Sequence, residues 1–406
     1  MKKVKYGIIG AGFVADIHLN ALEHLRNSKV EVVGVAARNK NRLKSFAEKH
    51  NIPLIYTDWK ELIKQEDIDV IDICTPTNLH GVMIKEIASA GKSIICEKPL
   101  SGYFGKELNL DRVGEEVSRE KMFQKINREI NEIQEVINKN KVKFMYAENW
   151  IYAPPYQKML NLLNKSDGVI LDIRAEESHS GSHAQYSRTW ENSGGGALLR
   201  LGAHPVAGVI YLKYFEGINR HNQPIIPESV VGEVSYNSKL DAVKRNKNSF
   251  LVKEWVDVED WATVVINFSD GTKAIVVSSD CVLGGVRNEM RVFTTNSVVN
   301  LDMSQSNAVT AFAPADGIFA DEYITEKIET TAGWSNPSPD EDWMRGYPAE
   351  MEDFMNSIIE DKEALSGWYL AEETLKVIYA AYLSAEKGER ISLNKNKDKV
   401  GKRKYL

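Results

Sequence analysis

The turn Gly10-Ala11-Gly12-Phe13-Val14-Ala15 restricts this chain more than any other stretch. An apolar run from Val4 to Ile9 reads as a buried strand, breaks at two glycines and gives way to a helical pattern. Gly10, Gly12 and Ala15 fit G-x-G-x-x-G/A, in which each small residue has its own physical task. Gly10 permits the tight turn, Gly12 admits a pyrophosphate close to the backbone, and Ala15 lets the helix pack on the strand. The start of that helix, at Phe13 and Val14, offers unpaired N–H groups and a positive dipole end to phosphate. A glycine-rich turn without a ligand would meet the spacing alone. A strand before it and a helix after it make a dinucleotide the better explanation.

The next hundred residues repeat that alternation. Val30–Ala36, Asp69–Cys74, Ser93–Cys96 and Val142–Tyr146 read as strands, with helices over Lys40–His50 and from His80 to Ala90, where Gly91 stops the second. Strands alternating with helices predict a parallel sheet wound on both faces, whose ligands bind beyond the carboxyl ends of the strands. The loops at Gly10, Ala37, Thr75-Pro76-Thr77-Asn78-Leu79-His80 and Glu97 lie at that edge. Where an acid would bind the ribose of NAD, this chain has Ala36-Ala37-Arg38-Asn39. No carboxylate there repels a 2′-phosphate and Arg38 can pair with one, which favours NADP over NAD; Arg38 lying flat over the adenine is the alternative. Asp58 and Glu61 suggest a capping box. The charged segment Gly102–Lys141 carries Ile126, Ile130, Ile133 and Ile137 at helical spacing and reads as a surface helix with an insertion.

From about Asn149 the pattern changes. Val169–Ala175, Val230–Tyr236, Trp261–Phe268, Thr272–Ser279, Met290–Thr295 and Val298–Met303 read as strands, with a hairpin turn at Asp270-Gly271. Helices near Pro205–Tyr214 and Tyr347–Ile359 are expected to cover one face, and Tyr369–Lys387 reads as a final amphipathic helix rich in Tyr and Ala. The expected fold is α/β: an N-terminal Rossmann domain, a doubly wound parallel sheet over residues 1–148, and a C-terminal α+β domain with an open-faced, mostly antiparallel sheet over 149–406.

Composition narrows the partners. A net charge of -6 argues against nucleic acid or an anionic membrane surface. Cys74, Cys96 and Cys281 are too few for a disulfide framework, which points to a reducing, cytoplasmic setting. Met1-Lys2-Lys3 imitates a signal peptide, but Asp16 and His18 follow the short apolar run at once. No apolar run has the length to span a bilayer, and the basic tail Lys395–Lys404 reads as a solvated end.

Three stretches carry candidate chemistry. Lys98, in Glu97-Lys98-Pro99 at the ligand edge, presents an ammonium on a backbone held extended before proline. It can polarise a substrate hydroxyl; pairing with Glu97 on the surface is the bland alternative. His204 ends Gly194-Gly195-Gly196-Ala197-Leu198-Leu199-Arg200-Leu201-Gly202-Ala203-His204, where the chain enters a helix, and can accept a hydroxyl proton or merely cap that helix. His179 and His183 lie in a Ser- and Gly-rich loop that suits hydrogen bonding to a polyhydroxylated substrate; no third ligand supports a metal.

Gly10–Ala15, Thr75-Pro76 to His80, Glu97-Lys98-Pro99 and Gly194–His204, in this order, resemble the Gfo/Idh/MocA family of glucose–fructose oxidoreductase and inositol dehydrogenase. The resemblance implies that Lys98 and His204 are catalytic and that Asn78 and His80 lie near the nicotinamide. It also brings Tyr152, in Ala147-Glu148-Asn149-Trp150-Ile151-Tyr152, close to the active site, and implies a homodimer or homotetramer through the open sheet. Many members have an aspartate four residues before the histidine, where this chain has Arg200; either Glu176 or Glu177 substitutes, or His204 works without a carboxylate, and Arg200 could instead bind an anionic substrate. The expected activity is NAD(P)-dependent oxidation of a secondary alcohol of a sugar, sugar acid or polyol. The alternatives are redox-neutral glycoside cleavage or epimerisation with tightly bound NAD, and a non-catalytic nicotinamide-binding regulator.

Overall fold

Apolar runs with no polar alternation need cover on both faces, and the first sheet supplies it. Val4, Tyr6 and Ile8 of β1 (Lys3–Ile9), Val70 and Ile71 of β4 (Val70–Ile73), and Ile94 and Ile95 of β5 (Ser93–Glu97) are fully buried. β2 (Lys29–Ala36), β3 (Leu54–Tyr56) and β6 (Phe144–Ala147) complete a six-stranded sheet in the order β3-β2-β1-β4-β5-β6, every pair parallel. The direction of winding reverses between β1 and β4, which opens a crevice at the carboxyl edge of those strands. The computed structural model describes residues 3–26, 29–304, 309–320 and 322–393; the tail Lys395–Lys404 lies outside them.

The second sheet contains β7 (Ile170–Ser178), β8 (Pro227–Ser235), β9 (Trp261–Phe268), β10 (Lys273–Ser279), β11 (Arg287–Thr294) and β12 (Val298–Asp302). The expected hairpin joins β9 to β10. A separate ribbon pairs β13 (Ala311–Ala313) with β14 (Gly333–Ser335), and β15 (Ile391–Ser392) adds an edge in the order β12-β11-β7-β10-β9-β8-β15. The sheet is antiparallel except for β7 against β10. The helix Ala203–His221 carries the chain back so that β8 starts in the direction of β7, and two reversals leave β10 in that direction too.

The helices Ala203–His221 and Trp368–Lys387 cover one face of this sheet. On the other face Val231, Val265, Ile275 and Arg174 form a row across β8, β9, β10 and β7. Strands segregate into two sheets around residue 148, but the last helices cross back: Tyr347–Glu360 packs on the first helix, Phe13–Glu23, and Trp368–Lys387 packs on Arg119–Asn140. Among the described residues no helix is long and apolar enough to cross a membrane.

Two local expectations change in detail. Asp58 caps its helix through the Lys60 N–H at 2.9 Å, but Glu61 pairs with Lys64 instead of closing the box. The insertion helix Arg119–Asn140 exposes only its polar side, because Ile126, Ile130, Ile133 and Ile137 are buried beneath the helices His80–Ser89 and Trp368–Lys387. Ile133→Ala should therefore cost about 2–5 kcal/mol in denaturant unfolding. A cost near that of a surface substitution, below about 0.5 kcal/mol, would detach this helix from the core.

Candidate active site

The turn after β1 divides two adjoining clefts. One, of about 630 Å³, is bordered by Gly10, Gly12, Ala37, Arg38, Thr75 and Pro76. Gly10 has φ +122°, and a Cβ there would lie 2.2 Å from the Cys74 carbonyl oxygen, so the turn excludes any side chain. Gly12 differs: a Cβ would meet only Arg42, at 3.7 Å, and would instead fill the space in front of the helix Phe13–Glu23. This open cradle at a helix N-terminus fits a pyrophosphate. Arg38 and Arg42 line the far end, where Asn39 caps the helix Lys40–Lys49 through the Arg42 N–H at 3.0 Å.

The other cleft, of about 300 Å³, is bordered by Phe13, Val14, Thr77, Glu97 and Lys98 from the first sheet and by His179, Arg200 and His204 from the second half. Lys98 follows β5 through a cis peptide to Pro99. Its Nζ donates to the Arg200 carbonyl oxygen at 3.0 Å, and its backbone N–H to Glu97 Oε2 at 2.9 Å. Glu97 is held in turn by His18, whose Nε2 lies 3.1 Å from Glu97 Oε1 and whose Nδ1 lies 2.8 Å from Asp72 Oδ2, to which the Tyr6 hydroxyl also donates. Burial disfavours a charge on His18, whereas Cys74 and Asp72 beside it favour one and raise its value well above the usual imidazole range. Among the described residues, His18, Asp72 and Cys74 are the one trio whose metal-ligand atoms lie within 4.8 Å of one another, and here they bond to each other.

His204 opens the helix Ala203–His221 as its position suggests. Its Nδ1 lies 2.7 Å from Glu148 Oε1, its Nε2 lies 4.0 Å from Glu177 Oε2, and its ring stacks on Trp150 with centroids 6.0 Å apart. Burial, reinforced by Lys98, lowers His204 to about 4, while burial raises Glu148 to about 8. A carboxylate thus reaches His204 from another element: Glu148 follows β6, 56 residues before its partner. Glu177 shares the covered face of β7 with Ile173 and Ala175; Glu176 points to the opposite face.

Several predicted residues lie elsewhere. Tyr152 does not border the cleft; its buried hydroxyl donates to Asp353 Oδ2 at 2.8 Å and accepts from the Ser366 N–H at 2.9 Å. His183 is exposed and outside the lining, whereas His179 is buried within it. Arg200 borders the cleft but is neutralised by Asp280 and lies over the Trp255 ring at 4.8 Å. His80 is buried as a clamp, its ring nitrogens each 2.9 Å from the carbonyl oxygens of Thr75 and Pro99. Asn78 accepts from Lys106 through its carbonyl at 3.1 Å and borders neither cleft. The glycine-rich stretch closes on protein: the Glu259 carboxylate accepts from Gly196 and Leu198 N–H groups, both at 3.0 Å. Sequence reasoning missed His18, Asp72 and Glu148, whose partners are far apart in the chain.

Residues 4–108 match the oxidoreductase family with an NAD-binding Rossmann fold, and residues 166–393 match the C-terminal alpha/beta domain of the same family. The chain belongs to the Gfo/Idh/MocA oxidoreductase family. An uncharacterized oxidoreductase, YrbE, of Bacillus subtilis strain 168 is 26% identical over 311 residues, 76% of each chain. The trans-1,2-dihydrobenzene-1,2-diol dehydrogenase of Mus musculus is 30% identical over 207 residues, 50% of this chain and 54% of that protein. The chain therefore spans about half the length of that enzyme. The crystal structure of myo-inositol 2-dehydrogenase from Lactobacillus plantarum superposes with a TM-score of 0.73 at 20% identity, over 97% of this chain and 100% of that one. Within this Gfo/Idh/MocA frame, Tyr152→Phe should lower stability by about 1–3 kcal/mol and leave turnover within a few-fold. A loss of about a hundredfold in kcat with unchanged unfolding would return Tyr152 to the chemistry.

Proposed function

We propose that the chain is an NAD(P)-dependent dehydrogenase acting on a secondary alcohol of a sugar, sugar acid or polyol. The observation that carries it is the pairing of His204 with Glu148 in a cleft that also holds Lys98 and adjoins the nicotinamide-side turn. The names of the dihydrodiol and inositol dehydrogenases described above are consistent with an alcohol substrate. When bound, the nicotinamide accepts the hydride. His204 Nε2 takes the hydroxyl proton, Glu148 receives the ring's Nδ1 hydrogen bond, and the Lys98 ammonium stabilises the developing alkoxide. The redox-neutral and regulatory alternatives drew their weight from the absent aspartate; Glu148 provides a carboxylate in its stead.

The protonation state of the pair sets the direction. With Glu148 protonated, it donates to Nδ1, the ring hydrogen sits on Nε2, and that nitrogen is no base. Once Glu148 ionises, Nδ1–H donates to it and the Nε2 lone pair is free. Oxidation should therefore rise with pH through the Glu148 value of about 8. In Glu148→Gln that rise should vanish and kcat fall by about 10²-fold or more. A polyol and sugar screen at 340 nm supplies the substrate for this measurement. A wild-type profile flat through neutral and mildly alkaline pH would overturn the Glu148 role.

NADP is the proposed preference, because the dinucleotide cleft is bordered by Arg38 and Arg42 and, among the described residues, by no carboxylate. Arg38→Ala should weaken NADPH at least about tenfold more than NADH, near 1.4 kcal/mol, in fluorescence titrations. Equal losses would remove the phosphate-pairing role. The chain self-associates as a dimer or tetramer through the uncovered sheet face, a reading supported by the apolar row Val231, Val265 and Ile275.

A further inference from the structure

His179 and Lys327 form a corner of the 300 Å³ cleft that the proposed hydride transfer does not use. Both are organised by one residue. The Gly181 N–H donates to His179 Nδ1 at 2.8 Å, and the Gly181 carbonyl accepts from Lys327 Nζ at 3.3 Å. Gly181 has φ +112°, and a Cβ would come 2.7 Å from Val252 Cβ, so this corner admits glycine alone.

The hydrogen bond fixes the tautomer. Because Nδ1 accepts, the proton of neutral His179 sits on Nε2, for which no acceptor is present among the described residues. Asp280, the nearest carboxylate, lies 3.6 Å from the other nitrogen, Nδ1. The charges around the cleft are unevenly matched. Arg200 pairs with Asp280, and Arg345 pairs with Glu326 and Glu341. Lys327 Nζ donates to a backbone carbonyl and makes no ion pair among the described residues, its charge reaching the already paired Asp280 and Glu326 only through space. Burial lowers His179 well below its usual value, and Arg200, Lys327, Lys98 and Arg345 lower it further, as four cations facing one ring must.

We infer that this corner is a carboxylate subsite, in which the His179 Nε2–H and the Lys327 ammonium receive the acid group of a polyhydroxylated substrate. The inference rests on the dehydrogenase reading above and narrows its substrate to a sugar acid. The strand geometry also places the reacting carbon. His179 continues the β7 ladder through its N–H to the Ser279 carbonyl at 2.9 Å, so it shares a face with Glu177 two residues earlier. Two residues of extended strand span roughly 7 Å. The hydroxyl facing His204, beside Glu177, is therefore several carbons from the carboxylate, as the distal hydroxyls of a uronic or aldonic acid are and a hydroxyl α to the carboxylate is not.

The test is calorimetric titration of the full chain saturated with reduced nicotinamide, using glucuronate, galacturonate and gluconate. Each acid is compared with a neutral counterpart: the methyl esters of the two uronic acids, and glucitol for gluconate. At least one acid should bind about tenfold or more tightly than its counterpart. Lys327→Met should erase that preference, and Lys327→Arg should restore most of it. Equal binding within every pair, no binding by any acid, or a preference that survives Lys327→Met would each overturn the subsite. Turnover at 340 nm separates this result from the parent proposal. Acids that bind with the preference but are never oxidised keep the subsite and remove the dehydrogenase, whereas oxidation of neutral sugars without any preference for acids does the reverse.

Discussion

Ionisable groups taken out of water where the ends of the two sheets meet are the constraint on which the rest of this structure depends. Tyr6, His18, Asp72, Glu97, Glu148 and His204 are each at most 8% exposed. A charge buried without a partner costs several kcal/mol, so each of these groups must find one within hydrogen-bond reach. The partners join separate elements: Tyr6 on β1 and His18 on the first helix both meet Asp72 on β4, and His18 also meets Glu97 at the end of β5. Lys98 inherits its backbone position from that chain of contacts, because its N–H is held by Glu97. His204 inherits its orientation from Glu148 at the end of β6. The positions of the two groups assigned to the chemistry thus follow from the need to give buried polar and ionisable groups hydrogen-bond partners.

How far this was legible in the sequence depends on how local each signal is. Strand, glycine turn and helix lie within a dozen or so residues around Gly10, and the alternation that follows defines the parallel sheet without reference to distant contacts. Lys98 and His204 sit in short motifs, and both border the same cleft. Glu148 lies within a recognisable motif too, yet its role depends on a histidine 56 residues away, and nothing in either segment announces the pairing. Arg200 consequently reads as a deficit in the sequence, while the carboxylate that meets His204 comes from another element. Resemblance alone puts Tyr152 near the site, while its hydroxyl is committed to Asp353 and Ser366.

Topology shows the same division. Six of the seven strands of the second sheet were legible from their own composition, but the short edge strand β15 and the parallel pairing of β7 with β10 were not. That pairing follows from a long helical connection, and strand periodicity carries no information about what a connection of that length does to direction. The return of the last two helices to the first sheet is likewise a tertiary matter. Their apolar faces are plain in sequence, whereas the identity of the surface they cover is not.

Those returning helices also bear on the chemistry. Hydride transfer requires two lobes held at a constant separation, since a misplacement of about 1 Å can cost a hundredfold in rate. Tyr347–Glu360 packs on the helix that starts at the dinucleotide turn, and Tyr347 at its head borders the substrate cleft beside Lys98. Glu350, one turn further on, is fully buried, and burial raises its carboxyl well above the usual range, which favours the neutral form. An ionised Glu350 would add a negative charge near Glu97, Glu148 and Asp72, where the His18 cation is already shared between Asp72 and Glu97. Burial that favours the neutral carboxyl lets this helix pack against the first one with less repulsion from Glu97, Glu148 and Asp72.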